Sequence, residues 1–239
     1  MKNWKTKIGY KIFEVSGGRS KAYLISTEKG TLLVDTGKKS SFNRLVRNIS
    51  SLNLDRKTID FLILTHSHYD HFQNANSIKQ KYNCKIIMSE KEAGFATLGF
   101  TPIPKGTTLL TNLISLAGKK LSQKWFEYTP FTPDILVNDH FDLENLGFSI
   151  RLVHTNGHSI GSVSILIDNE IAIVGDEMLG TFRNSIFPPF ADDIPGMINS
   201  WEKLLKTGCS VFLPGHGNEI SRALLQNEYD RFSRKLHHN

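Results

Sequence analysis

The sequence predicts an α/β fold, on two observations. Short apolar runs of strand-forming residues recur along the chain, at Thr31 to Val34, Phe61 to Leu64, Lys85 to Met88, Val163 to Ile167 and Ile171 to Val174. Their length and their β-branched content suit buried strands. Between and after them lie segments with apolar residues at helical spacing, such as Phe42, Leu45, Val46 and Ile49, and a helix around Met197 to Leu205. Strands in two groups, with helices between and after, make the α/β pattern.

In order, Ile8 to Val15 and Ala22 to Ser26 read as strands paired around the turn Ser16-Gly17-Gly18-Arg19-Ser20, with Thr31 to Val34 as a third. The helix at Phe42 precedes the strand at Phe61, a helix over Phe72 to Tyr82 and the strand at Lys85. Phe148 to Val153, Val163 to Ile167 and Ile171 to Val174 form the second strand group, with Asn169-Glu170 near a connecting turn. The strand Val211 to Leu213 follows the Met197 helix. Residues 94–140 fit neither group: they hold Phe95, Leu98, Phe100, Ile103, an apolar stretch from Leu109 to Leu116, Trp125, Phe126, Tyr128 and Phe131, broken by Pro102, Pro104 and Pro130. Two readings stay open, a helical cap whose aromatics line a substrate pocket, or an insertion that packs on the body.

With 239 residues, 39% of them hydrophobic, the chain can bury a substantial core, and no Pro/Gly/Ser-rich linker divides it. One domain over 1–239 is expected, without low-complexity segments or a strong repeat. Met1 to Lys7 is basic, but no apolar stretch follows it as in a secretory signal, and no run reaches membrane-spanning length. Cys84 and Cys209 flank apolar runs and read as small buried hydrophobes, so a cytoplasmic location without disulfides is expected. The net charge of +6 comes from scattered lysines, which favours acidic partners only mildly. No dense basic stripe is interleaved with aromatics, so nucleic acid is not the expected partner; a small molecule is.

Five of the nine histidines stand in one ordered constellation with two aspartates: His66, His68, Asp70 and His71, then His158, Asp176 and His216, each just after an apolar run. At the end of the Phe61 strand, alternation puts His66, His68 and Asp70 on one face, and a turn into the next helix brings round His71. Four ligands within six residues cannot all grip one ion. Seven ligands distributed as three plus three, with one shared, give two sites that each keep a position open for water. Asp35 ends the Thr31 strand as Asp176 ends the Ile171 strand, a faint echo of two halves. His140 and His154 read as polar residues flanking strands, and His237 and His238 as a frayed tail.

The cluster resembles the H-x-H-x-D-H motif of the metallo-β-lactamase superfamily. Leu32-Leu33-Val34-Asp35-Thr36-Gly37 is similar to its strand-plus-Asp-x-Gly signature, Thr155-Asn156-Gly157-His158-Ser159 to its T-P-G-H-[ST] element, Gly175-Asp176 to its bridging-aspartate turn, and Pro214-Gly215-His216-Gly217 to its last-histidine loop. Two departures are Asn156, where proline is usual, and Gln73-Asn74, in place of a small glycine-containing pair.

The resemblance implies a four-layer αβ/βα sandwich and two divalent metal ions, Zn2+ first, with Fe or Mn as alternatives. It implies His66, His68 and His158 on the first metal, Asp70, His71 and His216 on the second, and Asp176 bridging, with Asp35 supporting the site without ligating. The implied activity is hydrolysis of an ester, thioester or phosphodiester by a metal-bridging hydroxide, with Asp70 as the catalytic proton shuttle. It places the Phe187-Pro188-Pro189-Phe190 loop at the pocket rim, and Arg19 and Lys21 at the mouth, where they could receive an anionic group. Asp176 together with His71 argues against a true β-lactamase, and Leu179 lowers the lactonase reading. The same ligands suit a mononuclear iron oxidoreductase of the persulfide dioxygenase type, which stays as the alternative, with a nucleic-acid phosphodiesterase behind it. Too little chain follows His216 for a helical substrate-binding tail of the glyoxalase II kind.

Overall fold

The structure, a computed structural model, describes residues 1–54, 58–120 and 125–237. Its strands pair into two sheets. The first runs in chain order through β1 (Asn3–Lys5), β2 (Lys11–Glu14), β3 (Tyr23–Ser26), β4 (Thr31–Val34), β5 (Phe61–Ile63), β6 (Lys85–Ser89) and β7 (Ile135–Val137). Pairing is antiparallel from β1 to β4 and parallel from β4 to β7. The second joins β8 (His140–Asp142), β9 (Ile150–His154), β10 (Val163–Ile167), β11 (Ile171–Gly175), β12 (Val211–Pro214) and β13 (Ile220–Ser221), each beside the next, and only β11 and β12 run parallel.

Side-chain alternation explains the layering. Ile25, Leu32, Val34 and Ile63 of the first sheet meet Leu152, Ile165, Ile167 and Ile173 of the second in a core between the sheets. Their neighbours Leu24, Leu33 and Leu62 point the other way, onto Leu45 of α1 (Phe42–Ser50), Phe72 of α2 (Tyr69–Phe72) and Ile78 of α3 (Ala75–Tyr82). Leu166, Ala172 and Val174 do the same on the second sheet. Both faces of these strands are buried, which is why they read as continuous apolar runs. The result is the four-layer αβ/βα sandwich.

The long helix expected over Phe72 to Tyr82 is two helices, broken at Gln73 and Asn74. The Asn74 amide donates to the carbonyls of Thr36, Gly37 and Lys38 at 2.9, 3.2 and 2.7 Å. Gln73 accepts from the Lys39 N–H at 3.0 Å and donates to the Trp125 and Glu127 carbonyls. Short polar side chains that bond to backbone compete with helix continuation.

After α4 (Ala93–Leu98), α5 (Leu109–Lys120) carries Leu109, Leu110, Leu113 and Leu116 on its exposed side, while Ser115 is buried and donates to the Pro104 carbonyl at 2.7 Å. Thr107 bonds through its N–H and its hydroxyl to the carbonyls of Pro189 and Pro188, both at 2.9 Å, which fastens this segment to the 187–190 loop. On the far side, α6 (Ile194–Leu205) presents Trp201 and Leu204 to the second sheet. The C-terminal stretch carries a helix that the sequence reading did not place, α7 (Arg222–His237). Phe232 on it stacks on Phe187 with ring centroids 4.4 Å apart and meets Trp201 edge-on. His237 closes that helix, and His238 lies outside the described residues. Among the described residues no helix is long and apolar enough to cross a membrane.

Candidate metal centre

Every predicted site residue leaves the same edge of the sandwich. Asp35 follows β4, the His66 to His71 cluster follows β5 and enters α2, Asp176 follows β11, and His216 follows β12. His158 sits in the β9–β10 connection. In parallel α/β arrangements the loops beyond the carboxyl ends of the strands converge, and side chains distant in sequence meet there.

They do meet. The potential ligand atoms of His66, His68 and His158 lie within 4.8 Å of one another, as do those of His66, His71 and Asp176, and those of Asp70, His71 and His216. His158 Nε2 is 2.9 Å from His68 Nδ1. Asp176 is central: its Oδ1 is 3.4 Å from His71 Nε2, and its Oδ2 is 3.4 Å from His216 Nε2 and 3.8 Å from His158 Nε2. Asp70 Oδ2 is 3.3 Å from His216 Nε2 and accepts from the Ser20 hydroxyl at 2.9 Å. The backbone must approach closely, and a Cβ on Gly215 would overlap Asp176 Oδ1 and His71 Cε1.

The outward nitrogens of His66, His71 and His158 are held. His158 Nδ1 donates to the Phe190 carbonyl at 2.9 Å. Asp35 is a buried carboxylate in the left-handed region, with φ of 58°, and it binds Thr65 through Oδ1 to N and Oδ2 to Oγ1, both at 2.8 Å. Its Oδ2 also accepts from His71 Nδ1 at 2.9 Å, and Thr65 Oγ1 lies 2.9 Å from His66 Nδ1. A carboxylate only accepts, so the Thr65 hydroxyl donates to it and in turn accepts from His66 Nδ1. Each imidazole is thereby held through Nδ1 with its Nε2 facing inward, the arrangement that orients metal-binding histidines.

Charge follows from these contacts. Burial, with the neighbouring imidazoles, drives His66 well below the ordinary histidine value and His68 down to about 3, so both rings are neutral. Burial would also lower His71 and His216, but nearby carboxylates outweigh it, Asp176 foremost: His71 rises well above its ordinary value and His216 to about 9. Burial would raise Asp70 and Asp176, yet His71 and His216 hold both carboxyls below the usual range.

The donor set fits a divalent cation on a direct observation. His66 Nε2 is buried, points into the cluster and has no hydrogen-bond partner, and beside it His71 Nε2 and Asp176 Oδ1, also buried, face each other at 3.4 Å without hydrogen-bond geometry. Buried polar atoms left unpaired are rare and costly. A cation between them would satisfy all three.

Several supporting residues carry no motif. Glu92 accepts from the N–H groups of Ser67 at 2.6 Å and Gly161 at 3.1 Å, tying the histidine cluster to the His158 loop. Glu177 is buried, accepts weakly from the His158 N–H at 3.3 Å, and burial raises its carboxyl well above the ordinary range. Thr65 and Ser20 act through the contacts already given. Only Thr65 had a positional signal, because it separates an apolar strand from a histidine. His154 bonds the Ile160 carbonyl at 2.8 Å, His140 is exposed on β8, and neither joins the cluster.

A cavity of about 780 Å³ opens over the centre, reaching His68, Asp70, His158, Asp176 and His216 at its floor. The family sequence model of the metallo-β-lactamase superfamily matches residues 15–216, which includes every one of these side chains. The chain belongs to that superfamily. Divalent-metal binding is a property of the superfamily. This member is 28% identical, over 84% of its length and 89% of the other's, to a protein of Methanocaldococcus jannaschii named "probable metallo-hydrolase". It is 24% identical to an atrochrysone carboxyl ACP thioesterase of Aspergillus fumigatus, over 89% of this chain but 56% of that one. The solved structure of an archaeal superfamily member from Sulfolobus tokodaii superposes with a TM-score of 0.65 at 22% identity, covering 92% of this chain and 85% of that one. At that identity the likeness speaks for the fold.

Proposed function

We propose that the protein is a metal-dependent hydrolase with two divalent cations, zinc first, acting on an ester, thioester or phosphodiester. The observation that carries this is the set of buried inward atoms His66 Nε2, His71 Nε2 and Asp176 Oδ1 without hydrogen-bond geometry, with the two rings held from outside the cluster by Thr65 and Asp35. His66, His68 and His158 would hold one ion, and Asp70, His71 and His216 the other, with Asp176 between them. Bound there, the cations supply a nucleophile at neutral pH and stabilise negative charge developing on the substrate oxygen.

The chain's own groups do the rest. Asp70 Oδ2, held by Ser20, takes up and passes on the proton of the hydrolytic water. The Phe190 carbonyl and Glu177 fix His158 at the cavity floor. Within one domain, the part of the expected 94–140 cap that walls the cavity is the 101–104 loop, α5 and Phe126. By contrast, β7 belongs to the first sheet, Tyr128 and Phe131 pack on Phe72, and residues 121–124 lie outside the described residues. The likeness to a thioesterase supports thioesters among the substrates. An anionic part of the substrate would meet Arg19, Lys38 and Arg44, which share a depression of about 380 Å³ with Ser20. Lys21 is engaged elsewhere, 2.5 Å from Glu14. The free, buried Cys84 and Cys209 support a reducing, cytoplasmic location.

The test starts with elemental analysis of protein purified without added metal, which separates zinc from iron. Protein loaded with zinc is then assayed on a nitrophenyl ester, an acyl thioester and bis-nitrophenyl phosphate. Asp70→Asn is expected to lower kcat by about 10²- to 10⁴-fold on whichever is cleaved. Full activity in that variant overturns the assignment.

A further inference from the structure

We infer that the group seated over the metal centre is an uncharged apolar acyl chain, so that the bond cleaved is an acyl ester or thioester and not a phosphodiester. This rests on the hydrolase reading above and narrows it. The cavity, of about 780 Å³, is of the size that encloses small-molecule ligands. Its walls come from the 101–104 loop, the inner side of α5, and the segments around Leu179 and Phe190. Ile103, Ile114, Ala117, Phe126, Leu179 and Phe182 face the space, and among the described residues no lysine, arginine or glutamate lines it. Among the described residues, all charge in the lining comes from the centre itself.

Apart from the Tyr69 phenol, the polar wall residues offer little to a ligand. The Thr101 hydroxyl is paired with the Tyr128 hydroxyl at 2.7 Å, and Ser115 donates to the Pro104 carbonyl at 2.7 Å. Thr181 stands at the exposed rim. A sugar, a nucleotide or a second charged phosphate oxygen placed against these walls would lose water without gaining partners, which is costly. A hydrocarbon chain loses nothing there and gains burial. The wall is also held close: a Cβ on Gly118 would come to 2.9 Å from Ile103 Cδ1, so α5 packs onto the 101–104 loop at the one residue without a side chain.

The reaction balances as a simple hydrolysis. The oxygen of water bonds to the acyl carbon, the C–S or C–O bond breaks with its electron pair going to the leaving atom, and that atom takes a proton. The products are a carboxylate, a thiol or alcohol, and the second proton of the water, released to solvent.

Two measurements on the zinc-loaded protein test this. Calorimetric titration with butanol, hexanol and octanol should show affinity rising about fourfold per methylene, the equivalent of about 0.8 kcal/mol per buried CH₂. In parallel, kcat/KM for nitrophenyl esters and N-acetylcysteamine thioesters should climb from acetyl to octanoyl. Ala117→Phe, at a position exposed to the cavity, should cut the octanoyl-to-acetyl ratio at least tenfold. Alkanol affinities that do not change with length overturn the inference, as does a preference for bis-nitrophenyl phosphate. If alkanols bind with the expected increments but no ester, thioester or bis-nitrophenyl phosphate is cleaved, the hydrolase reading fails while the apolar seat stands. If esters are cleaved with a flat chain-length series and flat alkanol binding, the seat fails and the hydrolase reading stands.

Discussion

Replacing Asp35 by Asn leaves size and shape nearly unchanged, and asparagine tolerates the left-handed backbone at φ 58° as well as aspartate does. It nonetheless reverses a proton relay. In the native protein Asp35 Oδ2 accepts from His71 Nδ1 and from Thr65 Oγ1, which accepts from His66 Nδ1. An amide NH₂ at the Oδ2 position donates to both, so His71 Nδ1 becomes an acceptor and Thr65 turns its hydroxyl proton towards His66. Each ring then carries its proton on the inward Nε2, where a cation needs a lone pair. Turned the other way, the NH₂ confronts the Thr65 N–H, which sits 2.8 Å from Oδ1. The protein adopts the cheaper orientation, so the expected cost is that of one buried unsatisfied donor, about 1–3 kcal/mol. If that falls on metal binding it is a loss of about 5- to 150-fold in affinity, at about 1.4 kcal/mol per tenfold. Zinc affinity measured by competition with a chromophoric chelator should show this loss while far-ultraviolet circular dichroism stays unchanged. Native-like zinc affinity with native thermal stability in Asp35→Asn would refute the relay.

Two further outcomes follow from single side chains. Glu92→Ala leaves the Ser67 and Gly161 N–H groups buried and unpaired, at about 1–3 kcal/mol each. A fall in Tm of at least about 4 °C is expected for a chain of this size, and an unchanged Tm would show that Glu92 does not tie the two loops together. Asn74→Ala removes three bonds to the Thr36 to Lys38 carbonyls, at about 0.5–1.5 kcal/mol each. Its urea midpoint should drop, and zinc affinity with it, because that loop continues from Asp35; a native midpoint would count against the bracing.

What could be read in the chain was what is local. The strand ending at Thr65 and the histidine spacing after it depend on neighbours only a few residues away, and so did the apolar runs of β4, β10 and β11. The break between α2 and α3 was not readable, because it depends on carbonyls of residues 36–38 that lie far along the chain. The helix α7 was missed for another reason. Leu225, Tyr229, Phe232 and Leu236 have helical spacing, but they are diluted by charge, and only the surface of α6 makes that face a buried one.

Sequence by itself determined the chemistry available: five imidazoles and two carboxylates, each at the end of a strand, in an order matched by the superfamily. Tertiary structure alone decided that His71 Nε2 lies 3.4 Å from Asp176, that Glu92 and Ser20 belong to the site, and that the space above it is lined by hydrocarbon. Ligand identity is a property of single residues. Distances between residues 71, 176 and 216 are set by how two sheets pack face to face, and the lining of the cavity by where the segment leading into α5 is fastened to the 187–190 loop.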